Sequence, residues 1–401
     1  MGFPVNGGNH TSTTGSPMRH THQYTRLTPR NATQHLRPVL SDWLGRSVRL
    51  PTGRTVTPER VWQVILFAAA FTRSIAAACA ALTHAPSGQA VWNALRAVLP
   101  KRRRTLERHL LWALHAPLGP RTRSVPVWVA IDYHAIAYYG DQNRDTTRGK
   151  AMAGTHTSHT YATACIAGAP RYTVALSAVS HKEAMTAVLT RILGQIADAG
   201  VRVRGLLLDK AFFTVPVMLL LQEQNLPFVI PAQVRGRKPR PGVKATGIRA
   251  MRQRRAGRWA YTQTGRGGAS VAIDVVVAYK NYRRKLTGRR RTRKLLYAVW
   301  RVRGCPVSIR DRYRTRFGIE SSYRQLGDVR PRTSTTDGVI RLLWVAVGLI
   351  LRNAWVRFGG AGTRGWTLAA MKLVILVGLL NSAQNPGTPN INDTTRQRPP
   401  T

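Results

Sequence analysis

The hydrophobic period of this chain changes once, near Val125, and that change limits the folds open to it. Between residues 39 and 118 apolar residues recur at helical spacing. Thr57-Pro58-Glu59 supplies an N-cap, a proline at the first helical position and an acid in the first turn. The pattern predicts one helix from there to about Leu82, a second from Ser87 to Pro100 and a third over Arg104–His115. After Val125 the spacing becomes that of strands. Val127–Tyr139, Thr157–Ala167 and Arg171–Val179 read as three strands, the last two joined by a turn at Gly168-Ala169-Pro170. Helix Glu183–Ala199, strand Val203–Leu208, helix Thr214–Asn225 and strand Phe228–Pro231 follow. The order β-β-β-α-β-α-β implies an α/β fold: three antiparallel strands, then alternating units that add parallel ones. The product is a mixed sheet flanked by helices.

Residues 235–304 interrupt this order. They hold 22 Lys and Arg against one acid, Asp274, so this stretch carries +21 of the chain's +46. Strand-like pieces at Trp259–Thr264, Ser270–Tyr279 and Leu295–Val302 alternate with basic runs and predict a basic β-rich insertion. Helices are then expected over Asp311–Gly327, over Asp337–Phe358 behind a Ser334-x-x-Asp337 capping box, and over Trp366–Leu380. The domain reading is a disordered tail over 1–38, an N-terminal helical domain over 39–123 whose basic linkers suit a DNA-binding module or any helical bundle, and the first part of an α/β domain over 124–234. The insertion over 235–304, the second part of the α/β domain with C-terminal helices over 305–384, and a disordered tail over 385–401 complete it.

The chain has 62 Lys and Arg against 16 Asp and Glu. A field this positive suits a polyanion, and nucleic acid is the first candidate. Cys79, Cys165 and Cys305 are isolated in sequence, which argues for a reducing compartment and against a zinc cluster. Met1–Arg37 lacks the apolar core of a signal peptide. The apolar stretches Val61–Leu82, Leu342–Leu351 and Leu373–Leu380 read as buried core helices, so no membrane is expected as a partner. No G-x-x-x-x-G-K-[ST] motif is present, and Gly360-x-Gly362-x-x-Gly365 follows a helix, so no nucleotide cofactor is implied. His156 and His159, three apart in a strand, face opposite sides and do not make a metal pair.

Acids are scarce enough that each one beside an apolar run needs a reason. Asp132 follows Val127–Ile131 and Asp209 follows Leu206–Leu208. A lone buried carboxylate is costly unless paired, hydrogen-bonded or metal-bound. As neighbouring strands, these two segments would set the carboxylates side by side; otherwise each Asp only ends a strand and caps the next turn. On the helix expected over 311–327, Tyr313, Arg316, Glu320 and Arg324 form one stripe. An acid among arginines suits a metal with phosphates gripped beside it, or an exposed ion-pair ladder. His134, two residues after Asp132, shares its face and is read as a contact of substrate or metal-bound water, or as a packed histidine supporting the site. Trp259 and Trp300 are candidate platforms for an unpaired base, or core residues of the insertion.

The spacing Tyr313-x2-Arg316-x3-Glu320, after two strand-borne Asp residues and a β-rich insertion, resembles the prokaryotic insertion-sequence DDE transposases of the cut-and-paste Y-R-E-K class. Arg316-Phe317-Gly318-Ile319-Glu320-Ser321-Ser322-Tyr323-Arg324-Gln325 is similar to the branch first known from haloarchaeal elements. So is Ile131-Asp132-Tyr133-His134 followed by Tyr138-Tyr139-Gly140. The resemblance covers roughly 125–355. It implies an RNase H-like catalytic domain with Asp132, Asp209 and Glu320 as its three acids. The family's lysine falls on Gly327, so Arg324 or Arg330 stands in for it as the phosphate contact. Two Mg2+ or Mn2+ ions are the expected cofactors, since hard carboxylates suit them and two-metal chemistry suits phosphodiester cleavage. The expected function is cutting element ends and joining them to target DNA. The alternatives are a DNA-binding protein with lapsed catalysis, or a nuclease that does not rejoin. Partners are double-stranded DNA, as terminal inverted repeats and target, and a second copy of the chain on that DNA. The expected setting is a prokaryotic cytoplasm, at the nucleoid.

Overall fold

A computed structural model describes residues 32–54, 56–283, 287–359 and 366–384. The tail expected over 385–401, residues 1–31 of the other tail, and the Gly360–Gly365 motif lie outside the described residues. The end of the expected N-terminal tail is helical instead: α1 (Ala32–Ser47) starts six residues before it was to finish. Leu36, Leu40, Trp43 and Leu44 give it a buried stripe.

The helix expected from Thr57 to Leu82 is two. In α2 (Pro58–Ala70) Thr57 caps the start, its side chain accepting the Arg60 N–H. The chain then breaks at Thr72, at φ 51°, and Ser74 caps a new helix, α3 (Ile75–Ala81), bent 109° from the first. Apolar residues on both sides of the break hid it, because each helix buries its own stripe. Next come α4 (Gly88–Val98), α5 (Arg103–His115) and the short α6 (Pro120–Ser124).

The strands follow as β1 (Val127–Ala137), β2 (Thr147–Met152), β3 (Thr155–Ile166) and β4 (Thr173–Ala178). Then come α7 (Met185–Asp198), β5 (Val203–Leu208), α8 (Val215–Glu223) and β6 (Phe228–Pro231). β2 was not expected; it is an exposed edge strand without apolar alternation. The basic segment contains α9 (Gly247–Met251), β7 (Gly257–Thr264), β8 (Ser270–Arg283) and β9 (Arg290–Trp300). The last helices are α10 (Pro306–Arg314), α11 (Gly318–Asp328), α12 (Gly338–Gly359) and α13 (Leu368–Gln384). The capping box before α12 does not form. The helix starts later, and Asp337 itself accepts from the Val339 and Ile340 N–H groups.

One sheet runs β2-β3-β1-β5-β6-β9-β8-β7, with β4 on the second half of β3. β1–β5 and β5–β6 are parallel and the other pairs antiparallel. The 235–304 segment is therefore not a sheet of its own. β9 pairs with β6 from Phe228↔Trp300 to Pro231↔Tyr297, and the basic strands prolong the central sheet. Its two faces are covered separately. Phe212, Met218 and Ile192 pack on one side, and Tyr313, Ile319 and Ile309 on the other.

The N-terminal helices likewise close no core alone: α1, α2 and α5 share one with α12 and α13. The apolar stretch Leu342–Leu351 is buried there, as expected of a core helix. Glu107 docks this bundle on the sheet. Its carboxylate accepts from the Ala178 N–H at 2.7 Å, the Ser177 hydroxyl and Arg104. Burial pushes the Glu107 carboxyl above its ordinary range, against Arg104.

Candidate active site

The register brings the first two acids together. Ile131 lies opposite Leu208 across the parallel pair β1–β5, so the next residue on each chain, Asp132 and Asp209, sits at one level. Asp132 lies mid-strand; its Oδ1 accepts the Tyr133 N–H at 2.8 Å. Asp209 ends its strand and caps a 3-10 turn over Lys210–Phe212, accepting the Ala211 N–H.

The third acid arrives on α11. The helix expected over 311–327 is interrupted: α10 ends at Arg314, a 3-10 turn holds Thr315–Phe317, and α11 begins at Gly318. A Cβ at Gly318 would meet Arg171 Nε at 3.0 Å, so this glycine makes room for an arginine crossing the helix start. Glu320 stands in the first turn of α11.

All three carboxylates converge on Arg316. Its Nη1 donates to Asp132 Oδ2 at 2.9 Å and its Nη2 to Glu320 Oε1 at 2.8 Å, while Nη2 lies 3.7 Å from Asp209 Oδ1. The guanidinium is buried, and burial opposes its charge. Tyr313, Asp132 and Asp209 outweigh that and hold it above its ordinary value. Burial is also the largest influence on Asp132 and raises its carboxyl; Arg316 pulls it down and Asp209 pushes it up.

Among the described residues no three His, Cys, Asp or Glu side chains are arranged to hold a metal ion. The three acids face a cation nonetheless, in the form of a guanidinium. As a donor set they are hard oxygens on neighbouring elements, which suits Mg2+ or Mn2+ by chemistry.

Tyr323 was not singled out from the sequence. One turn beyond Glu320, its buried hydroxyl donates to the Asp132 carbonyl oxygen at 3.1 Å and meets Thr163 Oγ1 at 2.7 Å. Its ring stacks on His134 at 4.4 Å. Burial and Arg330 push His134 down to about 4, so the ring is neutral at pH 7. The i+3 spacing from Glu320 and the inward set Ile319, Ser322 and Leu326 were the available signal.

The predicted phosphate contacts separate. Arg324 is exposed, near Ser321 Oγ. Arg330 lies past the end of α11, half-buried beside Tyr161 and Arg341. Tyr313 is 6% exposed, between Tyr297 and Arg316, and shares the buried face of α10 with Ile309 one turn earlier. Trp259 and Trp300 do not neighbour the acids. Trp259 pairs with Val275 and Trp300 with Phe228, both on the opposite face of the sheet, as the two-residue period requires. Both are half-buried with a guanidinium over the ring, from Arg254 and Arg301. His159 is buried against Tyr138 and His156 is exposed, so they form no pair.

On the acid face, β8 and β9 run on past the site. Continuing the Leu207↔Val229 register by two residues sets Asp209 level with Pro231, which pairs with Tyr297. Further along the same face come Lys280 opposite Arg293, then Tyr282 opposite Arg291. At a rise of about 3.4 Å per residue these lie about 13 and 20 Å beyond the acids. Lys280–Arg293 and Arg283–Arg290 set like charges directly across the hairpin, which destabilises it unless an anion intervenes.

The mixed sheet flanked by helices, with a helix returning over its acid-bearing face, is transposase-like in fold: it is similar to a solved structure of the piggyBac transposase in its synaptic complex with hairpin DNA. That structure is 10% identical at a TM-score of 0.53, and the match covers 87% of this chain and 77% of that one. No family profile matches the sequence, and no curated protein does.

Proposed function

We propose that this chain is a DNA transposase that cuts the ends of an insertion element and joins them to target DNA. The observation that carries the reading is the convergence of Asp132, Asp209 and Glu320 within a transposase-like fold. An RNase H-like catalytic sheet is the matching finer reading, supported by the β-β-β-α-β-α-β order around parallel β1, β5 and β6. Asp132, Asp209 and Glu320 would together hold the divalent ions. When bound, such ions activate the attacking oxygen and stabilise the leaving one.

The chain's own residues do the rest. Tyr323 ties the Glu320 helix to the Asp132 strand, which fixes how far apart these acids stand. Arg316 neutralises the carboxylates before an ion arrives and becomes a phosphate contact when it lets go of them. Neutral His134 supports Tyr323 without adding charge. Arg324, exposed on the same helix, is the remaining phosphate contact near the site, in place of a lysine at Gly327. The Lys280–Arg293 hairpin extends the basic surface along the acid face and suits duplex DNA leading to the site. The acting form is proposed to be two copies on DNA.

A second reading, a DNA-binding protein with lapsed catalysis, draws on the guanidinium filling the space among the acids and on the absent lysine. Labelled duplex ends incubated with Mg2+ and a target plasmid separate the readings. Cleavage followed by joined product supports the transposase. Cleavage without joining leaves a nuclease, and binding without cleavage leaves the lapsed protein.

A further inference from the structure

Behind the Glu320 helix lies a cavity of about 240 Å³. Its walls come from the turn after β3, the back of α11 and the far half of α12, with Arg171, Ser321, Gln325, Arg352 and Trp355 among them. Arg352 is 2% exposed, a fully buried guanidinium. It donates Nε–H to Gln325 Oε1 at 3.0 Å and Nη1–H to the Arg171 carbonyl at 2.7 Å. Those acceptors use two of its five donors and none of its charge. Burial lowers the Arg352 guanidinium from its ordinary value; the Cys165 thiol raises it, and a second cation, Arg171, lowers it. Among the described residues neither is ion-paired with a carboxylate, whereas buried Arg103 has one such partner and buried Arg316 three.

The chain also makes room for this arrangement. Gly318 is the first residue of α11. Its missing Cβ lets the Arg171 side chain lie against the helix. The indole of Trp355 is fixed by donating to the Trp366 carbonyl at 3.1 Å, and it gives the cavity a flat apolar wall.

Two neighbouring guanidiniums without an acid call for a ligand of nearly two negative charges. A phosphomonoester carries about −1.5 to −2 at pH 7, whereas a backbone phosphodiester carries one. The flat wall suits the base attached to it. We infer that this cavity binds a nucleotide 5′-phosphate, through Arg171 and Arg352 at the phosphate and Trp355 at the base. Two sources share that chemistry: a free nucleoside monophosphate, and the 5′-phosphorylated DNA end left when a strand is cut to expose a 3′-OH. The second rests on the proposed cutting reaction; the site itself does not. Ser321 on the cavity wall is the residue next to Glu320 in α11, so the cavity and the third acid share one helix.

The test is fluorescence anisotropy and calorimetry on full-length protein carrying Asp132→Asn, so that no DNA is consumed. Four probes are compared: dTMP, thymidine, and one single-stranded oligonucleotide with a 5′-phosphate or a 5′-hydroxyl. At least tenfold tighter binding of the phosphorylated member of a pair is expected, and Arg171→Ala should abolish that preference. Arg171 is exposed, so this variant retains the fold. Arg352→Gln, checked by its melting curve, should do the same. A preference confined to dTMP assigns the free nucleotide, and one confined to the oligonucleotide assigns the DNA end. Equal binding of both members of each pair, or a preference that survives Arg171→Ala, overturns the site. Wild-type cleavage of labelled ends is scored separately, so loss of the transposase reading and loss of this site are distinct results.

Discussion

Arg316→Met removes the guanidinium that the three acids share while keeping most of the side chain's length and apolar bulk. Taking away one partner of a buried ion pair costs about 3–5 kcal/mol, because the other charge stays behind. That range applies to Asp132, whose side chain is 17% exposed. The pairs with Asp209 and Glu320, at 40% and 49%, are screened by solvent and add less than about 1 kcal/mol each. The expected loss at neutral pH is therefore about 3–5 kcal/mol, a large part of the roughly 5–15 kcal/mol that holds a domain folded. Urea unfolding followed by circular dichroism reads it as an earlier midpoint at unchanged slope.

The loss also has a pH signature. Burial already raises the Asp132 carboxyl above its ordinary value, and Arg316 is the main influence pulling it down. Without Arg316 it rises further. A carboxyl raised in the folded state binds protons more readily there than in the open chain, so stability increases as pH falls through the folded value. The variant's deficit should shrink between neutral pH and the ordinary carboxylate range. A deficit under about 1 kcal/mol, or one that stays constant in acid, would refute the shared-cation account of the cluster.

Three other outcomes are expected. Asp132→Asn, Asp209→Asn and Glu320→Gln should each abolish cleavage of labelled ends in Mg2+ while gel-shift affinity for the same DNA is kept; lost affinity would assign them a structural role. Tyr323→Phe should cost about 0.5–1.5 kcal/mol in urea unfolding, the worth of a hydrogen bond. It should slow single-turnover cleavage at least tenfold with DNA affinity unchanged, and an unchanged rate would show that the tie to Asp132 does not position the site. Replacing Lys280, Arg291 and Arg293 together by alanine should flatten the dependence of log K on log salt by up to about 0.9 for each phosphate that is no longer neutralised; an unchanged slope would remove the hairpin from the DNA path.

Asp132 and Asp209 were legible because each follows an apolar run that has no other reason to hold a carboxylate, and Glu320 because helical spacing sets it in one stripe with Arg316 and Arg324. Their neighbourhood was legible because strand order constrains which parallel strands can adjoin. Register was not legible. A two-residue period puts Trp259 and Trp300 away from the site, and only the pairing partners, Val275 and Phe228, reveal it. β2 carries no apolar alternation because it is an exposed edge, so strand patterning had nothing to detect. The break between α2 and α3 depends on one left-handed residue, Thr72, inside an unbroken apolar run. The turn over Thr315–Phe317 interrupts the expected helix while leaving Arg316 and Glu320 paired across one turn, and Tyr313 is turned inward by sharing the buried face of α10 with Ile309.

The pairing of β6 with β9 has a consequence for how this chain can change length. β6 has four residues, and its outer edge is covered by a strand some seventy residues further on. Excising the segment at its base would leave the unpaired N–H and C=O groups of that edge open to another chain, an invitation to aggregate. Shortening or lengthening the hairpin between Arg283 and Arg290 leaves every pair of the central sheet in place. Variation is tolerated at the tip and forbidden at the root, so relatives of this chain should differ in how far the arm reaches and agree on where it is attached.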